Sequence, residues 1–118
     1  MGMGFRVGCR AGGLIVGNHQ ENFFVYMLLC ENGAYYTGYT VDLERRYKEH
    51  LQGTAKCKYT RSFKPVCIAQ SWQICGEKSL AMKIERFIKE MNKEEKEQLI
   101  MMPSYLAELF PMVICTGN

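Results

Sequence analysis

The sequence predicts one small α/β domain, a three-stranded antiparallel sheet flanked by helices. Three observations carry that prediction. Phe23 to Leu29 and Val66 to Trp72 are apolar runs with the length and composition of strands. Glu31-Asn32-Gly33 is a hairpin turn signal that joins the first run to a short tyrosine-rich strand. Asp42 to Leu51 and Leu80 to Met91 then change to apolar spacings of three and four, the helical period. With 118 residues, 47% of them hydrophobic, and no repeat or low-complexity stretch, the chain can bury a core as a single domain.

The glycine-rich residues 1–20 read as a poorly ordered extension ahead of a domain over 21–103, with 104–118 as a tail or short helix packing back on it. Leu14-Ile15-Val16 is too brief for a secretion-signal core or a bilayer span. Val16 suits an alternative start codon, so residues 1–15 are expected to carry no function. The six cysteines form no Cys-x-x-Cys pair and have no clustered histidine, which argues against zinc. Several sit inside apolar runs, as buried free thiols do in a reducing cytoplasm, so a cytoplasmic protein with no membrane association is expected.

The first strand is apolar at every position, so both its faces should be covered and it should not lie at a sheet edge. Loop length then decides where its tyrosine points. A two-residue turn would put Tyr26 and Tyr36 on opposite faces. A three-residue loop with Gly33 in the left-handed conformation pairs Leu28 with Tyr36 and Tyr26 with Gly38, and both tyrosines share a face. The three-residue register is the prediction. Diagonal neighbours of this kind lie roughly 7–8 Å apart. Gly38 leaves space beside Tyr26 where a ligand can approach. Packing is the ordinary use of such tyrosines.

Val25-Tyr26-Met27 followed ten positions later by Tyr36-Thr37-Gly38 resembles the paired motif of the GIY-YIG nucleases. Both halves depart from the eponymous letters: Phe24 stands for the glycine of the first, Val25 for its isoleucine, and Thr37 for the isoleucine of the second.

The helix over Asp42 to Leu51 has Thr40 or Asp42 as its cap, Glu44 at the positive end of its dipole and Gly53 after its close. Leu43, Tyr47 and Leu51 form the expected buried stripe, flanked by Arg46 and His50. Read alone, these two are a surface charge and a helix-end cation. The resemblance implies more, because the arginine ten residues past the tyrosine of the second motif contacts the scissile phosphate and a histidine one turn later is a further active-site position. These are Arg46 and His50 here. A planar guanidinium that is charged at any working pH suits that task.

Net charge is only +3, but Arg45 to Lys64 carries Arg45, Arg46, Lys48, Lys56, Lys58, Arg61 and Lys64 against Glu49 alone, with Tyr47 and Tyr59 interleaved. That concentration fits either a solvated face or a phosphate-binding surface. Gln52 to Lys64 has no apolar period and is expected to be a surface loop ended by Pro65. Lys58-Tyr59-Thr60-Arg61 with a proline four residues later is similar to the small stand-alone bacterial branch of the family, which is also similar to the excision-repair nuclease N-terminal domain and to the catalytic subunit of structure-specific endonucleases. By that likeness Lys58, Arg61 and Lys64 are expected to hold a sugar-phosphate backbone, with Tyr59 stacking on a base.

After the third strand, Ser79 is read as the cap of a helix to about Met91 whose stripe is Ala81, Ile84, Ile88 and Met91. Glu85 falls at the margin of that stripe, a costly place for a carboxylate without a partner. Lys89 or Arg46 can pair with it. The resemblance instead places the family's acidic metal ligand in this helix, at Glu85. With one protein carboxylate, an ion keeps several waters and takes substrate oxygens, the habit of magnesium. Asn92 with Glu95 resembles a capping box for a helix through Met102, Pro103 stops it, and Tyr105 to Phe110 suits a short last helix.

The family likeness implies a DNA endonuclease that hydrolyses phosphodiester bonds in structured or single-stranded DNA during repair or recombination, leaving a 5′-phosphate and a 3′-hydroxyl. Water would be activated by Tyr26 or Tyr36, Arg46 would neutralise the phosphate, and Mg2+ or Mn2+ on Glu85 would stabilise the departing oxygen. A phenol, with a reference pKa near ~10, needs nearby cations to serve as a base. DNA is the expected partner, with a second protein as a source of specificity. The alternative is a non-catalytic nucleic-acid-binding module on the same fold.

Overall fold

A computed structural model describes residues 21–54 and 58–115, so the extension expected over 1–20 lies outside the described residues, as do Lys56 and Cys57. The elements in chain order are β1 (Glu21–Cys30), β2 (Tyr35–Thr40), α1 (Leu43–Gln52), α2 (Lys58–Ser62), β3 (Pro65–Gly76), α3 (Lys78–Lys89), α4 (Lys93–Met101), α5 (Ser104–Leu109) and β4 (Val113–Cys115). The three expected strands lie side by side and antiparallel in a sheet ordered β2-β1-β3-β4. The short β4 extends it beyond β3, where a tail or helix alone was expected; three residues are too few to show a strand period.

Residues of β1 divide by parity between two cores, which is why none of them from Phe23 to Leu29 could be polar. Phe23, Val25 and Met27 join Trp72 and Ile74 on one face, covered by Ala81, Ile84 and Ile88 of α3, Leu99 of α4 and Leu106 of α5. Tyr26, Leu28 and Cys30 occupy the other face, against Tyr36, Ile68 and the α1 residues Leu43 and Tyr47. Each fully buried aliphatic side chain such as Ile84 or Ile88 contributes about 1.5–3 kcal/mol.

Gly33, at φ 84°, supplies the left-handed residue of the hairpin loop. Cys30 N–H donates to Ala34 O at 2.9 Å and Gly33 N–H to Cys30 O at 2.8 Å, closing the three-residue loop. Leu28 therefore faces Tyr36 and Tyr26 faces Gly38, as the three-residue register requires.

Asp42 caps α1, its carboxylate accepting from Arg45 N–H at 3.1 Å, while Gly53 ends the helix at φ 69°. Two expectations here are corrected. Leu51 is 41% exposed, and the fully buried residue of α1 is His50. The segment expected to be an irregular loop folds over Lys58–Ser62 into α2, which packs on the end of α1 with Arg61 Cα and Cγ against Gly53 and covers His50 instead of Leu51.

α3 begins at Lys78, with its cap position at Glu77, two residues before the expected cap, and no side-chain cap bond, so Ser79 lies inside the helix. The Asn92 and Glu95 capping box forms at α4 with bonds of 2.8 and 2.9 Å. The link from α4 to α5 is fastened to the sheet, since Gln70 Nε2 donates to Ile100 O at 3.2 Å and Trp72 Nε1 to Pro103 O at 3.0 Å.

Candidate active site

A cavity of about 390 Å³ opens beside the end of β2 and is lined by Tyr26, Tyr36, Gly38, Arg46, Lys78 and Glu85, with Phe23, Tyr39, Thr40 and Val41. Its walls come from both sides of the sheet, because β2 ends at Thr40 and lets α1 on one face and α3 on the other meet around its edge. Four side chains singled out in the sequence therefore converge on one hollow. Lys78, unremarked in the sequence, lies seven residues before Glu85 and so on the same face of α3.

Tyr26 is 1% exposed, and its phenol oxygen lies 2.8 Å from Nε2 of His50. The other ring nitrogen, Nδ1, lies 2.8 Å from Oγ1 of Thr60, which is fully buried on α2. Burial first, and the Arg46 guanidinium second, lower the His50 pKa from 6.5 to about 4, so its imidazole is neutral at physiological pH. The helix-end cation expected from the sequence is thus a neutral buried ring.

Tyr36 meets the edge of His50 at a centroid distance of 5.0 Å and stands 6.4 Å from the Tyr26 ring. Its far side stacks on Tyr59 at 5.9 Å and 24°. Tyr59 also meets Phe63 at 5.3 Å, and its hydroxyl accepts from Asn32 Nδ2 at 3.1 Å. The ring expected to stack on a base thus has one face taken by Tyr36.

Gly38 is required by Tyr26. A Cβ there would stand 2.6 Å from the phenol oxygen and 2.8 Å from Cζ. The space noted in the sequence is filled by the tyrosine itself.

Arg46 is half-buried, with Nη1 3.0 Å from Glu49 Oε1. Glu85 is 18% exposed at its side chain and pairs with Lys89 across one helical turn at 3.6 Å. Each of these two pairs lies within one helix, and both Arg46 and Glu85 also line the cavity. A hard carboxylate at the rim of an open hollow suits a hard divalent cation whose other ligands are waters and substrate oxygens. Among the described residues no group of three or more His, Cys, Asp or Glu side chains gathers as a closed metal cage. Glu85 fits a Mg2+-like ion and would hold it with a single protein ligand.

Lys58 and Arg61 are exposed on α2 and Lys64 is exposed just after it; none of the three lines the cavity, and α2 meets it through Tyr59, which stacks on the cavity residue Tyr36. Lys64 is tied to the hairpin turn, its carbonyl accepting from Glu31 N–H at 2.8 Å. A larger hollow of about 500 Å³ lies between α3, α4 and α5. It is lined by Phe87, Met91, Leu99 and Met102 with Glu90 and Glu95, and has no cation for an anionic substrate.

Cys30 is buried, Cys67 exposed and Cys75 half-buried, all free thiols, and burial pushes the Cys30 thiol up. No helix among the described residues is long and apolar enough to cross a membrane.

The chain is similar to known proteins. A family model described as the GIY-YIG catalytic domain matches residues 22–98. A UPF0213 protein of Halalkalibacterium halodurans is 40% identical over 79 residues, covering 67% of this chain and 82% of that protein. One from Fusobacterium nucleatum is 41% identical over 81 residues, covering 69% and 79%. One from Halobacterium salinarum is 43% identical over 75 residues, covering 64% and 95%. The solution NMR structure of a UPF0213 protein from Bacillus halodurans matches with 40% identity and a TM-score of 0.44, over 69% of this chain and 84% of that one.

Proposed function

The chain belongs to the GIY-YIG catalytic-domain family, and from that membership we propose that it is a divalent-metal-dependent DNA endonuclease working at the cavity beside β2. One observation carries the proposal: two phenols, a guanidinium and a carboxylate from a hairpin and two helices on opposite faces of the sheet line a single hollow. Packing alone gives no reason for that meeting.

Tyr26 is the stronger candidate for the base, because its oxygen lies 2.8 Å from Nε2 of His50, which can accept its proton. Tyr26 lines the cavity, and in this reading its oxygen takes a proton from water as the water oxygen attacks phosphorus, while its own phenol proton passes to Nε2 of His50. In the free protein that transfer is uphill, since the imidazole has a pKa of about 4. A bound phosphodiester reduces the opposition by neutralising Arg46, the second cause of the depression. Arg46 and Lys78 hold the non-bridging oxygens in this reading. Glu85 would hold a Mg2+ or Mn2+ ion, which would supply charge stabilisation for the departing oxygen when the P–O3′ bond breaks.

The second reading is a binding module that cleaves nothing. It is favoured by the pairing of Arg46 with Glu49 and of Glu85 with Lys89 inside their own helices. Incubating the purified protein with labelled flaps, forks, junctions and single strands, in Mg2+, Mn2+ or chelator, separates the two. The endonuclease gives a product that chelator and Glu85→Gln both abolish while DNA binding persists. Binding without product under every condition supports the module and overturns the enzyme.

A further inference from the structure

We propose that Thr60 is a positioning residue: its hydroxyl accepts the Nδ1 proton of His50 and thereby fixes the imidazole tautomer that leaves Nε2 free to accept from Tyr26. This deepens the endonuclease reading and rests on it for its effect on rate, though not for the hydrogen-bond arrangement itself.

A neutral imidazole carries one proton, so one nitrogen donates and the other accepts. Both nitrogens of His50 have an oxygen at 2.8 Å, Tyr26 on Nε2 and Thr60 on Nδ1, and each oxygen belongs to a hydroxyl able to donate or to accept. Two arrangements satisfy the chain. In one, Tyr26 donates to Nε2 and Nδ1–H donates to Thr60. In the other, Thr60 donates to Nδ1 and Nε2–H donates to the phenol oxygen. A phenol is a far more acidic donor than an aliphatic alcohol, and the imidazole nitrogen is the strongest acceptor of the set. The stable pairing joins those two, which puts the proton on Nδ1 and makes Thr60 the acceptor.

The consequence for Tyr26 is directional. Only in this arrangement is the phenol proton committed to the ring. In the other, His50 donates to the very oxygen that must accept a proton from water. The partner of a histidine's second nitrogen commonly controls its tautomer and basicity, and losing such a partner typically costs about 10–100-fold in metal sites built this way.

Thr60 is well placed for this duty. It is wholly buried on α2, whose neighbours in the chain are the Tyr59 ring stacked on Tyr36 and the Arg61 stem lying on Gly53. Its hydroxyl is therefore held on Nδ1 by contacts on either side of it.

The test is 15N NMR of the histidine rings in the full chain, with His50→Gln assigning the His50 signals against His19, alongside single-turnover cleavage and DNA affinity in chelator. Expected results are a wild-type proton on Nδ1, its displacement toward Nε2 in Thr60→Val, a cleavage rate about 10–100-fold lower in that variant, and DNA affinity unchanged. Thr60→Ser, which keeps the hydroxyl, restores both tautomer and rate. A wild-type proton on Nε2 overturns the inference without any variant having to fold. So does a Thr60→Val protein with the wild-type tautomer, or one that shifts tautomer and cuts at the wild-type rate. If the wild type cuts nothing but Thr60→Val moves the proton, the positional half stands and the endonuclease reading falls.

Discussion

The phenol oxygen of Tyr26 lies 2.8 Å from Nε2 of His50, and both side chains are only 1% exposed. A histidine in that position resists protonation, and the resistance has a thermodynamic consequence for the whole domain. Its pKa is lowered from 6.5 in the unfolded chain to about 4 in the folded one. Above pH 6.5 the ring is neutral in both states and the folded state has no disadvantage. As pH falls from 6.5 toward 4 the unfolded state takes up a proton that the folded state refuses, so stability is lost through that window. The loss reaches about 2 kcal/mol by pH 5 and about 3 kcal/mol below pH 4. Urea denaturation at pH 7 and pH 5 should show it in the wild type and not in His50→Gln, whose own stability at pH 7 is lower. Equal pH slopes in the two proteins would exclude His50 as the cause.

Gly38 and Tyr26 are coupled more tightly than their pairing across the strands requires. A Cβ on residue 38 lies 2.6 Å from the phenol oxygen, inside any tolerable contact. Gly38→Ala is therefore expected to push the ring off His50, to cost about 1–3 kcal/mol by overpacking, and to cut cleavage by about 100-fold. Tyr26→Phe removes the nearest atom but leaves Cζ at 2.8 Å, so the double variant should recover part of the stability and none of the activity. A double-mutant cycle by thermal melts reads the coupling, and additivity would contradict the contact.

The hydroxyl of Thr37 is buried with no hydrogen-bond partner among the described residues. It stands opposite Met27 on the face that packs against α3, where the family motif has isoleucine. Burying an unpaired hydroxyl costs about 1–3 kcal/mol. Thr37→Val keeps the shape and removes that cost, so we expect about 1 kcal/mol of added stability with unchanged cleavage. A destabilised variant would mean that the hydroxyl has a partner in solution.

The hairpin was legible because one residue settles it. Gly33 tolerates a positive φ, the three-residue loop follows, and the common face of Tyr26 and Tyr36 follows from the loop. The buried face of α1 was misread for a reason outside α1. Leu43, Tyr47 and Leu51 make a good stripe by period, but α2 covers the last turn from one side and buries His50 in place of Leu51. A helix of five residues has too little cooperativity to announce itself and forms by packing, so neither α2 nor the Thr60 contact could be read from spacing. Lys78 was missed because its place depends on how α1 and α3 meet around the end of β2, a relation between elements rather than within one.

The basic surface is divided by its partners, and the division predicts which charges meet DNA. On α1 the outward cations are matched inside the helix, Arg45 with Asp42 at 3.9 Å and Lys48 with Glu44 at 4.0 Å. Lys58, Arg61 and Lys64 form no salt bridge among the described residues. Lys58 and Arg61 sit on α2 on either side of Tyr59 and Thr60, and Tyr59 stacks on the cavity residue Tyr36, so in the endonuclease reading a strand held at Arg46 is expected to continue over α2. Each cation that displaces a counterion adds about 0.7–0.9 to the slope of log affinity against log salt, depending on whether the strand is single or double. Lys58→Ala and Arg61→Ala should therefore each lower the measured slope by about that amount, and the effects should add. Arg45→Ala and Lys48→Ala should change it by less, because those cations already neutralise a carboxylate. Fluorescence anisotropy with a labelled strand across a salt series, in chelator so that nothing is cut, makes the comparison. A larger slope change from Arg45 and Lys48 than from Lys58 and Arg61 would move the path of the strand from α2 to the outer face of α1.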